Sequence, residues 1–191
     1  MIWICSGFMR SGTSAMMAAL VAGGMSAAYS EQRNQVADRH ADEHYHPNRG
    51  GLFEVPLREY QQCEFPLRYQ GQLIKVMSWG LDGLAVNPQG YRVVLMQRDQ
   101  EEIRQSYEAF FDRPLRMPWF DQYTERMERA VKMLRNRNDV LSVDVVHYRD
   151  LVANPLVELA MLDWPIDARA AAMVIDPKQC RFKREILTAG I

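Results

Sequence analysis

The 191-residue chain is poor in the features that assign a function class by composition alone. Its three cysteines, Cys5, Cys63 and Cys180, are widely spaced, odd in number and never in a CxxC pair. That argues against a disulfide framework or a zinc knuckle and suits a reducing, cytoplasmic setting. Excess charge is also missing: 23 Lys and Arg stand against 24 Asp and Glu, for a net charge of -1. Such a chain has no global attraction for nucleic acid or an anionic membrane, and no aromatic and basic residues interleave as in single-strand binders. Any anionic ligand must be held by local charge. Long apolar runs are absent as well. Met1 to Cys5 is far too short for a membrane span and lacks a charged leader, so it reads as a buried strand and not a signal peptide. No repeat, low-complexity tract or Gly/Ser linker divides the chain, and its length suits one domain, 1–191, with a sizeable core. No nucleic-acid or membrane partner is expected.

What is present alternates. Ile2 to Ser6, Leu73 to Met77, Arg92 to Gln97 and Val140 to His147 read as short buried strands. Between them run helical stripes: Met16, Met17, Leu20 and Val21, then Ile103, Tyr107, Phe110 and Phe111, then Tyr123, Met127, Val131 and Leu134. Asp99 can cap the second of these, with Glu102 three residues on as in a capping box. The third carries Arg126, Arg129, Lys132, Arg135 and Arg137 opposite its stripe, read as a solvated face. Asn154 and Pro155 open a further helix through Leu156, Leu159, Ala160 and Leu162. Residues 30 to 66 are polar and irregular, a surface excursion. Strands alternating with helices predict an α/β fold, a mainly parallel central sheet flanked by helices in three layers.

The first strand runs into Gly7-Phe8-Met9-Arg10-Ser11-Gly12-Thr13-Ser14 and then a helical stripe. The spacing is that of the P-loop GxxxxGK[ST], with Thr13 in place of the lysine. The physics of a phosphate cradle survives that loss, because backbone N–H groups of a strand-to-helix turn and the positive end of the helix dipole bind the anion. Positive charge moves to Arg10, and Ser11, Thr13 and Ser14 add hydroxyls. Without the lysine, and with no clear second carboxylate for magnesium at a strand end, a magnesium-ATP kinase is disfavoured.

The loop GFMRSGTS resembles that of the sulfotransferase family, which uses 3'-phosphoadenosine 5'-phosphosulfate and whose Golgi and bacterial branches carry G-F-P-R-S-G-T-S. Met9 replaces the proline. The resemblance implies a P-loop-type fold, a metal-independent donor, and a 5'-phosphosulfate site at Arg10, Ser11, Gly12, Thr13 and Ser14. A second element, "LMQRDQEEIRQSYEAF", is similar to the family's R-[ND]-P-x5-S-Y and implies that Arg98 and Ser106 bind the donor's 3'-phosphate, although Gln100 replaces the proline. "HPNRGGLFE" and "VHYRDLVANP" resemble further family segments. "IDPKQCRFKR" is similar to a basic segment that closes the cofactor site, making Arg181, Lys183 and Arg184 candidate contacts or, equally, a solvated tail.

Sulfuryl transfer needs a base for the acceptor hydroxyl or amine. Glu54 is the first candidate; its alternative is an exposed loop carboxylate. His40, His44 and His46 have a spacing that can bind zinc, but Pro47 follows closely and the segment is not HExxH, so an exposed loop is preferred to a metal or a histidine base. Lys75 either points its ammonium at the transferred group or snorkels from a strand end. Trp79, Trp119, Phe120 and Tyr123 line an acceptor pocket, stack on adenine, or belong to the core. The expected function is sulfuryl transfer to a small-molecule or glycan-like acceptor. The alternatives are a P-loop small-molecule kinase using Mg-ATP and a non-catalytic protein that keeps the cradle.

Overall fold

The computed structural model describes residues 1–28, 55, 59, 61–116 and 120–176. Four strands, β1 (Ile2–Gly7), β2 (Leu73–Met77), β3 (Tyr91–Gln97) and β4 (Val140–His147), form one parallel sheet in the order β2-β1-β3-β4. β2 and β4 have the expected bounds. β1 and β3 each gain a residue, because Gly7 pairs with Met77 and Met96 while Tyr91 pairs with Ile2.

The helices are α1 (Thr13–Ala22), α2 (Phe65–Tyr69), α3 (Gln100–Phe111), α4 (Tyr123–Arg135), α5 (Tyr148–Ala153), α6 (Pro155–Ala160) and α7 (Ala168–Met173). Strand alternation sends Ile4, Val76, Val93 and Leu95 to one face, where Ile103 and Tyr107 of α3 and Met127 and Leu134 of α4 cover them. Cys5, Leu73, Val94 and Met96 go to the other face, against Met16 and Leu20 of α1 and Leu151, Leu159 and Ala171 of α5 to α7. Each fully buried aliphatic side chain contributes about 1.5–3 kcal/mol, so two such faces account for a sheet that is closed on both sides. The result is the expected three-layer α/β domain. Among the described residues no helix is long and apolar enough to cross a membrane.

Three local expectations change. Within the segment read as a surface excursion, Val55 and Phe65 are buried in the core, and Val55 N donates to the Lys75 carbonyl at 2.8 Å. The α6 stripe is thinner than its pattern, with Leu159 and Leu162 buried but Leu156 exposed. Arg137 leaves the solvated face of α4 and bonds Asp139 and the carbonyls of Leu84 and Ala85, whereas Arg126, Arg129, Lys132 and Arg135 are exposed as expected.

The strand order marks where a sheet of this kind opens. From β1 the chain crosses through α1 on one face towards β2; from β3 it crosses through α3 and α4 on the other face towards β4. Adjacent strands whose connections leave in opposite directions open a crevice at their carboxyl ends, the usual ligand position in a parallel sheet. Here it lies between the ends of β1 and β3.

Candidate functional site

The residues after β1 close the crevice floor. Ser11 donates both its N–H (3.2 Å) and its hydroxyl (2.7 Å) to the Phe8 carbonyl, fastening the loop from inside. Its hydroxyl is fully buried in that contact. Arg10 adopts a left-handed conformation (φ 65°) and Gly12 another (φ 100°). Only glycine fits at 12 for a second reason: a Cβ there would lie 2.3 Å from Cδ2 of Tyr148, the residue that follows β4. α1 then starts at Thr13 with Gly12 as its N-cap and no side-chain cap. A helix start of that kind leaves first-turn N–H groups with no intrahelical acceptor, a seat for an anion.

Cations from three elements reach this turn. Arg10 folds onto α3, with Nε donating to Ser106 Oγ at 3.0 Å and its guanidinium 4.7 Å from the Phe110 ring centroid. Arg98, at the end of β3, donates from Nη1 to the Arg10 carbonyl at 3.1 Å and lies 4.6 Å over the Tyr148 ring. Lys75, only 4% exposed, comes up from β2 and donates to Ser14 Oγ at 3.3 Å. The ammonium also acts on its register neighbour Cys5, whose thiol is pushed up to about 12 by burial with Lys75 pulling the other way.

The two sequence elements are therefore brought together, with partners their spacing does not reveal. Ser106 bonds Arg10 and not Arg98. Arg98 instead pairs with Glu102, Nε to Oε2 at 3.0 Å, and Glu102 Oε1 accepts from Arg149 Nη2 at 2.5 Å. This corrects the capping-box expectation. Asp99 does cap α3, accepting from Glu101 N (2.9 Å) and Glu102 N (3.2 Å), a contact worth about 1 kcal/mol, but the Glu102 carboxylate turns to the two arginines. Glu102, Tyr148 and Arg149 escaped sequence reasoning. "YRD" after the fourth strand carried the only available signal.

Of the aromatic candidates, Phe120 and Tyr123 are core residues packed on Phe8 at 5.3 and 5.5 Å, and burial pushes the Tyr123 hydroxyl up to about 12. Trp79 meets the same Phe8 ring edge-on at 5.6 Å but stays 42% exposed, so it alone of the three offers a ring to a ligand. Glu54, His40, His44, His46, Trp119, Arg181, Lys183 and Arg184 lie outside the described residues.

No family model and no curated protein matches the chain. Among solved structures, an unliganded sugar kinase from Janibacter sp. HTCC2649 superposes with a TM-score of 0.42 and 15% identity, over 87% of this chain and 98% of that one. A likeness that loose says nothing about chemistry. The sulfotransferase resemblance accordingly stands on its two motifs, and the functional reading on the geometry of the crevice.

Proposed function

We propose that the chain is a nucleotide-dependent group transferase that seats its donor's phosphates on the loop Gly7–Ser14. The observation that carries this reading is the convergence of Arg98 and Lys75, from two strands, on one glycine-bearing turn that itself carries Arg10, at the carboxyl ends of β1 and β3. Transfer of a phosphoryl or sulfuryl group builds charge on the leaving phosphate, and preorganised donors in a water-poor site stabilise that charge. The first-turn N–H groups at Gly12, Thr13 and Ser14 would hold it; Arg10 and Lys75 would supply the compensating positive charge.

Two donors fit such a seat, and one set of contacts favours each. Lys75 puts its ammonium on Ser14 Oγ, the hydroxyl that the P-loop pattern gives to magnesium. A cation already at that oxygen favours 3'-phosphoadenosine 5'-phosphosulfate, a donor that needs no metal, as do the GFMRSGTS and Arg98/Ser106 motifs. Against this, Ser106 and Arg98 are engaged with Arg10 and Glu102, holding the loop to α3. That favours Mg-ATP and phosphoryl transfer to a small molecule, with Lys75 replacing the lysine missing from the loop. In either case the acceptor is a hydroxyl or amine of a small or glycan-like molecule, with Glu54 as the base.

Calorimetric titration separates them. Binding of 3',5'-adenosine bisphosphate without metal, lost in Arg10→Ala and Arg98→Ala, supports the sulfuryl donor; a preference for Mg-ATP supports the phosphoryl donor. Failure of both ligands to bind, or binding indifferent to Arg10→Ala, overturns the reading. Turnover absent despite binding would leave a non-catalytic nucleotide binder. With turnover present, Glu54→Ala should abolish it and leave donor affinity unchanged.

A further inference from the structure

Glu102 is a carboxylate with 1% exposure, on the first turn of α3, shared between Arg98 and Arg149. A buried charge of this kind is retained only where its partners satisfy it, and each partner is in turn held by it. Arg98 is the consequential one. Its Nε is on Glu102, its Nη1 is on the carbonyl of Arg10, and its face covers Tyr148, the ring that rests on Gly12. Arg10 is a non-glycine residue at φ 65°, a strained conformation that persists only where surrounding contacts impose it. The chain of contacts runs from Glu102 through Arg98 to the peptide that aims the loop.

We infer that Glu102 is a positioning residue of the phosphate cradle: it holds Arg98 on the Arg10 carbonyl and so keeps the loop in its anion-accepting shape. The inference rests on the cradle reading above. It makes a prediction opposite in sign to simple electrostatics. A negative charge near an anion seat opposes binding by Coulomb's law, so a Glu102 that acted only through its charge would, when neutralised, leave the cradle tighter. A Glu102 that positions Arg98 would, when neutralised, leave it weaker.

The test is calorimetry with 3',5'-adenosine bisphosphate and with Mg-ATP on wild type, Glu102→Gln, Arg98→Ala and the double variant. Glu102→Gln should weaken the ligand that wild type binds by about 10-fold or more, the scale of one lost charge-assisted hydrogen bond. In the Arg98→Ala background the same substitution should have no further effect, which a general structural role would not produce. Unchanged or tighter binding by Glu102→Gln, or losses that simply add in the double variant, overturns the inference. Should Glu102→Gln fail to fold, Glu102→Asp keeps the charge but is one methylene too short to span both arginines. Weaker binding that disappears as an effect without Arg98 supports the role, and wild-type affinity overturns it. Arg10→Ala separates the two layers: if it binds like wild type the cradle reading fails, and if it loses binding while Glu102→Gln does not, only the positioning role fails.

Discussion

Arginines organise both ends of the sheet, to different ends. At the amino end Arg137 makes four hydrogen bonds: Nε and Nη2 bond Asp139 at 2.9 and 2.7 Å, and Nη1 and Nη2 bond the carbonyls of Leu84 and Ala85 at 2.9 and 3.2 Å. Asp139 also accepts from Asn87 N at 2.9 Å, and Asn87 bonds Gly90 and Gln70. The cluster ties β3, β4 and the preceding turns into one knot. At the carboxyl end Arg98 and Arg149 share the Glu102 carboxylate, Arg10 bonds Ser106 and Lys75 bonds Ser14, beside a helix start with no side-chain cap. One end is a closed hydrogen-bonded knot; the other sets its cationic side chains beside a helix start with no side-chain cap, the place where the cradle reading puts a ligand. Stability should therefore follow the first end and binding the second.

The strongest way to break that division is Gly12→Val. With φ at 100° and Tyr148 2.3 Å from any Cβ, the loop must reshape, and nucleotide affinity should fall by more than about 100-fold in calorimetry. Arg10→Ala removes the bond to Ser106 and the loop cation, with an expected loss of about 10- to 100-fold in affinity. Its effect on denaturant stability should be much smaller than that of Arg137→Ala. The latter takes two charge-assisted bonds from Asp139 and the donors from two carbonyls and should cost roughly 3 kcal/mol in urea unfolding while donor affinity holds. A binding defect in folded Arg137→Ala would collapse the distinction between the ends.

Acid titration sharpens it further. Hydrogen bonds from Arg137 hold the Asp139 carboxyl below its usual value of 3.8. A depressed folded value means that this carboxylate stabilises the fold above about pH 4 and that the contribution fades as pH falls through the folded value. Asp139→Asn should flatten that part of the acid limb in a pH series of thermal unfolding. The smallest effect is chemical. Cys5, under the loop with its thiol pushed up to about 12 by burial, should resist iodoacetamide at pH 8 while exposed Cys63 is alkylated, and Gly12→Val should raise Cys5 labelling if the loop lifts.

The strands were legible because parallel strands covered on both faces write themselves as apolar, β-branched runs, and the strand-to-helix turn after β1 because glycine spacing and a following stripe are local signals. The contacts of Arg98 and Ser106 were not legible, since a bond between residues 10 and 106 depends on how β1 and α3 are brought side by side. Glu102 was misread for the same reason. Three residues after Asp99, a glutamate has a local partner to reach back to, and only the fold supplies two arginines that outcompete it. Arg149 and Tyr148 were missed because nothing in "HYRDL" by itself says that β4 ends beside the loop.

The loop also bears on the order of folding. Arg10 takes one partner from 96 residues away and another from 88, and the ring against Gly12 belongs to the last strand's exit. Contacts so distant in sequence close only after most of the chain has condensed. Ligand competence should thus emerge with the final refolding phase, after the β1–β3 sheet has formed, making nucleotide capture a reporter of completed assembly and not of early collapse.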